Sequence, residues 1–147
     1  MHYDFNCRLC VVSTIVISPK FQASSFKLQA SSMKDFKKLI VWQKGLELYT
    51  DLHIYCNKLP PEEKFSLTSQ IRRAAFSIPA NIAEGSAKAT NAHYKLYLEN
   101  SLGSAYELET ALIAVKKIYT LLPDVEEFLI RIREIQKMLI SFINKLG

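Results

Sequence analysis

The sequence is poor in the residues that most often carry chemistry. Its three histidines are His2, His53 and His93, and its three cysteines are Cys7, Cys10 and Cys56. Di-metal centres in helical proteins need Glu-x-x-His pairs, but Thr50 and Thr90 stand three places before His53 and His93. Cys7-x-x-Cys10 has metal or redox spacing, yet no second Cys or His pair follows at a zinc-like distance. An odd cysteine count with no framework fits a reducing, cytoplasmic setting. Four glycines, Gly45, Gly85, Gly103 and Gly147, lie far apart and exclude a phosphate loop. No serine stands in a motif that supplies a base. The longest apolar run, residues 9–17, is too short to span a membrane. Charge of one sign is also scarce. Arg8, Lys20 and Lys27 against Asp4 give +2 in residues 1–32, which leaves +3 of the net +5 for the rest. That excess permits nucleic-acid binding without requiring it.

What is present is helical period. Residues 1–32 stand apart: Gln22-Ala23-Ser24-Ser25 recurs as Gln29-Ala30-Ser31-Ser32 directly before Met33. They are read as a disordered or spurious extension, with Met33 as a candidate start and residues 33–147 as the folded domain. Helix one is expected over 35–57, with Leu39, Trp42, Leu46, Tyr49, His53 and Cys56 as its buried seam. On that reading His53 is a satisfied core histidine beside a buried thiol. Pro60-Pro61 ends the helix. Helix three is expected over 91–122, capped by Thr90 or Asn91 and about 48 Å long. Its seam runs Tyr94, Leu98, Ser101, Ala105, Leu108, Leu112, Val115, Tyr119 and Leu122. Gly103 within it predicts close approach of another helix, from this chain or another subunit. Asp124 and Glu127 form a capping-box-like start to helix four, which keeps the period through Val125, Phe128, Ile132, Ile135, Leu139, Phe142 and Leu146. No alternating strand pattern follows residue 33. The expected fold is all-α, an antiparallel up-down-up-down four-helix bundle.

Helix two, residues 67–85, carries the unusual features. Leu67, Ile71, Ala74, Ala75, Ile78 and Ile82 make its apolar face, with Ser66 or Thr68 as cap. Pro79 lies inside the pattern, where it removes a donor and bends the axis. Asn81, Glu84 and Gly85 close the helix, and the two polar side chains are expected to satisfy the backbone that Pro79 frees. A catalytic use of Glu84 with Asn81 is the weaker reading.

Arg72 and Arg73 are adjacent, so they point roughly 100° apart and one of them lies near a helix or subunit contact. Glu107, in the Glu107-x-Glu109 run, is the expected salt-bridge partner of one of them. The basic residues offer phosphate contacts, for which Lys37, Lys38, Lys44, Arg72, Arg73, Lys88 and Lys95 are the candidates. Lys34, Lys116, Lys117, Arg131, Arg133 and Lys137 are further basic residues outside those candidates.

Two segments resemble a known family. Phe36-x-x-Leu39-x-Val41-Trp42-Gln43-Lys44 is similar to its opening signature, and residues 70–85, from Gln70-Ile71-Arg72-Arg73 to Glu84-Gly85, to its most distinctive segment. Tyr94-x-x-Tyr97-Leu98, Gly103-Ser104 and Glu107-Leu108-Glu109 resemble its third helix. The family is that of four-helix bundle proteins encoded in intervening sequences of bacterial 23S ribosomal RNA genes. Tyr94 and Tyr97 stand where the family usually has phenylalanine, Ser101 where alanine is common, and Lys88 where arginine follows the glycine turn. The resemblance implies a ring-shaped homopentamer without enzymatic activity. It also implies a fold like that of the accessory proteins of diversity-generating retroelements, which bind nucleic acid and a reverse transcriptase through a basic surface. Trp42, Gln43, Gln70, Pro79, Asn81, Glu84, Gly85, Gly103 and Glu107 are then structural or interface residues. The expected function is non-enzymatic RNA or nucleic-acid binding, with no metal, no cofactor and no membrane partner. The alternative is a scaffold that docks a partner, such as a nucleic-acid enzyme, without touching RNA.

Overall fold

A computed structural model of the chain describes residues 35–146. The expectations for residues 1–32, Cys7-x-x-Cys10 included, lie outside that range. Among the described residues there are four α-helices and no strands: α1 (Ile40–Tyr55), α2 (Leu67–Ser86), α3 (Asn91–Ile118) and α4 (Val125–Leu146). Short 3-10 turns at Phe36–Lys38, Cys56–Lys58 and Pro61–Phe65 lead into α1 and join it to α2. Each helix packs on its neighbour in sequence, and α1 also packs on α4. Among the described residues the backbones of α1 and α3 do not come close, nor do those of α2 and α4. One apolar core, contributed by all four helices, fills the space between them.

The apolar faces of α2, α3 and α4 lie where the period puts them. Ile71, Ala74, Ala75, Ile78 and Ile82 are buried on α2, and the α3 seam is buried from Tyr94 to Val115. Helix α1 is different. Its core face is Val41, Gly45, Leu48, Leu52 and Tyr55, continued by Cys56 and Leu59. This is rotated by about one residue, or 100°, from the expected seam. His53 is exposed, which overturns its reading as a core histidine, while Cys56 is buried as expected. Helix α1 carries two apolar stripes, and the one that holds Gly45 is the one packed on α2. A Cβ there would stand 3.4 Å from Ile78 Cγ2 and 3.6 Å from Pro79 Cδ, so the stripe holding the small residue faces α2. The second stripe lies at the edge, where Tyr49 packs on Phe76 with ring centroids 5.2 Å apart.

Helix α3 is four residues shorter than expected and about 42 Å long. Pro123 disfavours helical geometry at Leu122, and the chain leaves the helix at Tyr119 (φ −116°, ψ 70°). The Tyr119 hydroxyl then donates to Glu63 Oε1 at 2.6 Å. Glu63 also accepts from the Leu67 amide at 3.3 Å and from the Ser66 hydroxyl. It therefore serves the start of α2 where Ser66 or Thr68 was expected to do so. Thr90 caps α3, its Oγ1 accepting from the His93 amide at 3.2 Å. Asp124 takes left-handed backbone geometry (φ 73°), and its carboxylate accepts from Lys58 Nζ at 2.9 Å.

Two glycines play opposite roles. A Cβ at Gly85 would stand 2.7 Å from both Tyr94 Cδ2 and Tyr97 Cβ, so only glycine lets α3 begin this close to the end of α2. At Gly103 a Cβ would meet nothing within 4 Å, so the expected close approach does not come from within the chain. Replacing Gly85 with alanine should therefore lower stability by about 1–3 kcal/mol, the usual cost of overpacking, in urea unfolding.

Helices α3 and α4 are joined by a polar clamp. Gln136 Nε2 donates to Glu109 Oε2 at 2.7 Å and Arg133 Nε donates to Glu109 Oε1 at 2.8 Å. Gln136 first and Arg133 second hold the Glu109 carboxyl below its ordinary range. Stability from this clamp is full above the ordinary carboxylate range and fades as pH falls through the lowered value. Glu109→Gln should cost about 1–2 kcal/mol at pH 7. Urea midpoints measured at pH 7 and pH 3 should show the gap to the parent protein narrowing at the acid end.

Candidate nucleic-acid interface

Four lysines of the predicted set gather at one end of the helices. The turn Phe36–Lys38 is held by Asp35 Oδ1, which accepts from the Lys37 amide at 3.3 Å, and by Gln43 Nε2, which donates to the Lys37 carbonyl at 2.8 Å. Phe36 packs edge-on to Trp42 at 5.1 Å between centroids. This arrangement assigns Trp42 and Gln43 to anchoring the turn that presents Lys37 and Lys38. The same turn packs on α2, whose last residues lead to Lys88, while Lys95 lies in the first turns of α3. Phe142 brings the end of α4 to the same place, 5.4 Å from the Tyr94 ring. Lys137 and Lys145 line a groove there with Leu39, Val41, Met138 and Glu134, the last bonded to Lys44.

The carboxylates that reach these lysines are few. Asp35 stands 3.5 Å from Lys38 Nζ, and Glu84 stands 3.4 Å from Lys88 Nζ. Lys88 Nζ also lies 4.4 Å from the centroid of the Tyr97 ring. Tyr97 first and Lys88 second hold the Glu84 carboxyl below its ordinary range. Tyr97 and Glu84 in turn raise the Lys88 pKa, so Lys88 stays a cation well above neutrality. Lys37, Lys95, Lys137 and Lys145 make no ion pair with any described residue. Lys145 is absent from the candidates read from sequence. The signal was there, since Lys137, Ser141 and Lys145 repeat at four-residue spacing on one face of α4.

The other candidates are neutralised or lie elsewhere. Lys44, in the first turns of α1, is bonded at 3.0 Å to Glu134, which lines the groove of Lys137 and Lys145. Arg72 turns towards the far end, where its Nη2 donates to Asn57 Oδ1 at 3.0 Å and to the His53 carbonyl at 3.3 Å. Arg73 and Glu107 line one groove with Gln70 and Gly103, but the expected salt bridge from Arg72 or Arg73 to Glu107 does not form. Its neighbour Glu109 takes Arg133 instead. Adjacent residues on a helix diverge, and the bonds to Asn57 and His53 place the first arginine of the pair against α1.

The polar residues after Pro79 are also used differently than expected. Asn81 Nδ2 donates to the Ser77 carbonyl at 2.8 Å and to Ser77 Oγ at 3.0 Å. The carbonyl that loses its helical donor to Pro79 is that of Ala75, so Asn81 braces the next turn instead. Glu84 goes to Lys88 and Tyr97, not to the backbone.

The end opposite the lysines is mixed in charge and partly apolar. Lys58–Asp124, Arg131–Asp51 and Lys116–Glu126 pair there. Phe65 and Leu121 are almost fully exposed beside them, at 87% and 96%. Among the described residues no group of three or more His, Cys, Asp and Glu side chains gathers as a metal site, and no helix is long and apolar enough to cross a membrane.

The sequence profile of the 23S rRNA-intervening sequence protein family matches residues 37–141. The chain belongs to this family. The matched span covers α1, α2, α3 and most of α4, including the lysine turn at residues 37–38 and the Pro79 helix. A crystal structure of a protein of unknown function from the S23 ribosomal protein family of Bacteroides thetaiotaomicron is similar to it. That chain is 28% identical, with a TM-score of 0.64, covering 71% of this chain and 98% of the other. No curated protein matches the sequence. For this intervening-sequence protein the geometry separates the two arginines sharply. Arg72→Ala should lower stability by about 1 kcal/mol through the lost bonds to Asn57 and His53. Arg73→Ala should stay within about 0.5 kcal/mol of the parent in the same thermal or urea melt.

Proposed function

We propose that this intervening-sequence protein is a non-enzymatic RNA-binding bundle, cytoplasmic and homo-oligomeric. Its helices run antiparallel, up-down-up-down, and assemble as a pentamer. The observation that carries the binding reading is the gathering of Lys37, Lys38, Lys88, Lys95, Lys137 and Lys145, of which among the described residues only Lys38 and Lys88 are paired, with Asp35 and Glu84, while Glu134 shares the groove of Lys137 and Lys145. Ammonium groups left without acid partners attract phosphate wherever it is presented and read no bases. A ring would multiply that charge on one rim, which suits a long, folded polyanion such as structured RNA. The chemistry of Glu84 supports the non-enzymatic part. A carboxyl held below its ordinary range by Tyr97 and Lys88 is a poor proton donor or acceptor at neutral pH.

The second reading, a scaffold that docks a nucleic-acid enzyme, is favoured by the exposed Phe65, Ile118 and Leu121 at the opposite end. The two readings differ in salt dependence. Retention on a structured RNA should fall steeply between about 50 mM and 200 mM salt. Substituting Lys37, Lys38 and Lys95 together with glutamine should lower the slope of log K against log salt by roughly two to three. Retention that is absent at low salt, or unchanged by salt, would favour the scaffold.

A further inference from the structure

Where the chain passes from α1 to α2 it leaves a pocket of about 310 Å³, which shares no residue with the groove of Lys137 and Lys145. Leu59, Pro60 and Pro61 give it an apolar wall, and Lys64, Thr68 and Arg72 bring donors to it. Those donors lack acceptors. Thr68 is only 6% exposed, yet its hydroxyl makes no hydrogen bond with any described residue. A buried hydroxyl is normally bonded. Arg72 Nη2 is held by Asn57 and the His53 carbonyl, but its Nε is buried and finds no oxygen to donate to. Lys64 Nζ lies 5.3 Å from the centroid of the Phe65 ring and pairs with no acid among the described residues. Positions 64, 68 and 72 repeat at four-residue spacing, which sets Thr68 and Arg72 on one face of α2.

Negative charge is kept out of the pocket. Glu63 does not line it, and its carboxylate is taken by Ser66, the Leu67 amide and Tyr119. Cys56 does line it, but burial pushes its thiol up against the pull of Arg72, so it is neutral at pH 7.

We propose that this pocket binds a phosphate monoester, whose oxygens accept from the Thr68 hydroxyl, the Arg72 guanidinium and the Lys64 ammonium. Three separate donors, two of them cationic, match a terminal phosphate, which has three free oxygens and close to two negative charges at neutral pH. A carboxylate has one oxygen fewer and half the charge. The wall of Leu59, Pro60 and Pro61 receives the organic part of the ester, for which a bare phosphate ion has no use. Neither the RNA reading of the lysine end nor the oligomeric reading is needed for this site.

Phenyl phosphate is the probe, titrated calorimetrically into the full chain at constant ionic strength. The parent should bind it more tightly than inorganic phosphate or benzoate. Thr68→Val replaces the hydroxyl with a methyl group of the same shape. Without ligand this variant should melt at or above the parent's temperature, because an unbonded buried hydroxyl does not support the fold. Its affinity for phenyl phosphate should nevertheless fall roughly tenfold, the effect of losing one hydrogen bond to a charged group. Lys64→Gln should weaken binding in the same direction. Lys37, Lys38 and Lys95 changed together to glutamine should leave it as in the parent.

A free small molecule and the end of an RNA can both present the group, and competition separates them. Displacement by an oligonucleotide with a terminal phosphate, but not by its terminal-hydroxyl counterpart, assigns the pocket to an RNA end. Displacement by neither assigns it to a small molecule. Displacement by both means that charge alone is read, and the monoester site is then wrong. It is equally wrong if the parent does not bind phenyl phosphate, if Thr68→Val binds it as well as the parent, or if the triple lysine variant loses it. None of these results bears on RNA retention by the lysine end, so the two readings fail separately.

Discussion

The packing of α2 against both of its sequence neighbours is the constraint on which the rest of the structure depends. On one side Gly45 lies against Ile78 and Pro79 at ordinary contact distance, and on the other Gly85 is required, since it lets α3 start against the last turn of α2. Between them, the fully buried Ser101 hydroxyl donates to the Ile78 carbonyl at 3.0 Å. A serine in a dry interface is tolerable only with such a partner. The carbonyl it finds belongs to the residue before Pro79 and is not the one Pro79 leaves without a donor, which is that of Ala75. Ser104 and Ser77 add a 2.8 Å bond along the same seam. Side chains that would trouble an ordinary apolar stripe thus fix the register of α3 on α2.

That register decides where the charges fall. With α2 in place, the turn before α1 packs on α2, Gly85 meets Tyr94 and Tyr97 of α3, and Phe142 of α4 meets the same Tyr94 ring. Two helix C-termini contribute there, and cations near a C-terminus are favoured by the peptide dipoles. Lys88 and Lys145 therefore stabilise the ends of α2 and α4 while still holding donors in reserve. At the opposite end Lys58, Arg131 and Lys116 each have an acid of their own, in Asp124, Asp51 and Glu126, while Lys64, Arg72 and Lys117 form no ion pair with any described residue. The molecule is weakly basic in total and uneven in distribution.

Much of this was legible in the sequence, and the exceptions have physical causes. The faces of α2, α3 and α4 follow from spacing because each of those helices has one apolar stripe. Helix α1 has two, and periodicity ranks Tyr49 and His53 as highly as Leu48 and Leu52. What separates the stripes is which of them meets α2, where Gly45 lies against Ile78, thirty-three positions away. Gly103 and Gly85 look alike in sequence, yet one faces open space and the other two tyrosines. The adjacent arginines could be seen to diverge, but not which of them would find Asn57. Pairings across helices, such as Glu109 with Gln136 and Arg133, need relative rotations that no single helix encodes. The lysine end was half visible: its members were all in view as residues, and only the topology brings them together.

The connectivity has a temporal side. Apart from the seam between α1 and α4, each helix packs closely only on helices adjacent to it in sequence. A chain whose contacts are mostly local closes short loops before long ones and folds quickly. Here α1, α2 and α3 can dock one after another as synthesis delivers them, each covering apolar surface the previous one exposed. Helix α4 arrives last and completes two interfaces at once, with α3 and with α1. Until then the core faces of α1 and α3 stay open along one side, which is the interval in which the nascent chain is most exposed to wrong partners.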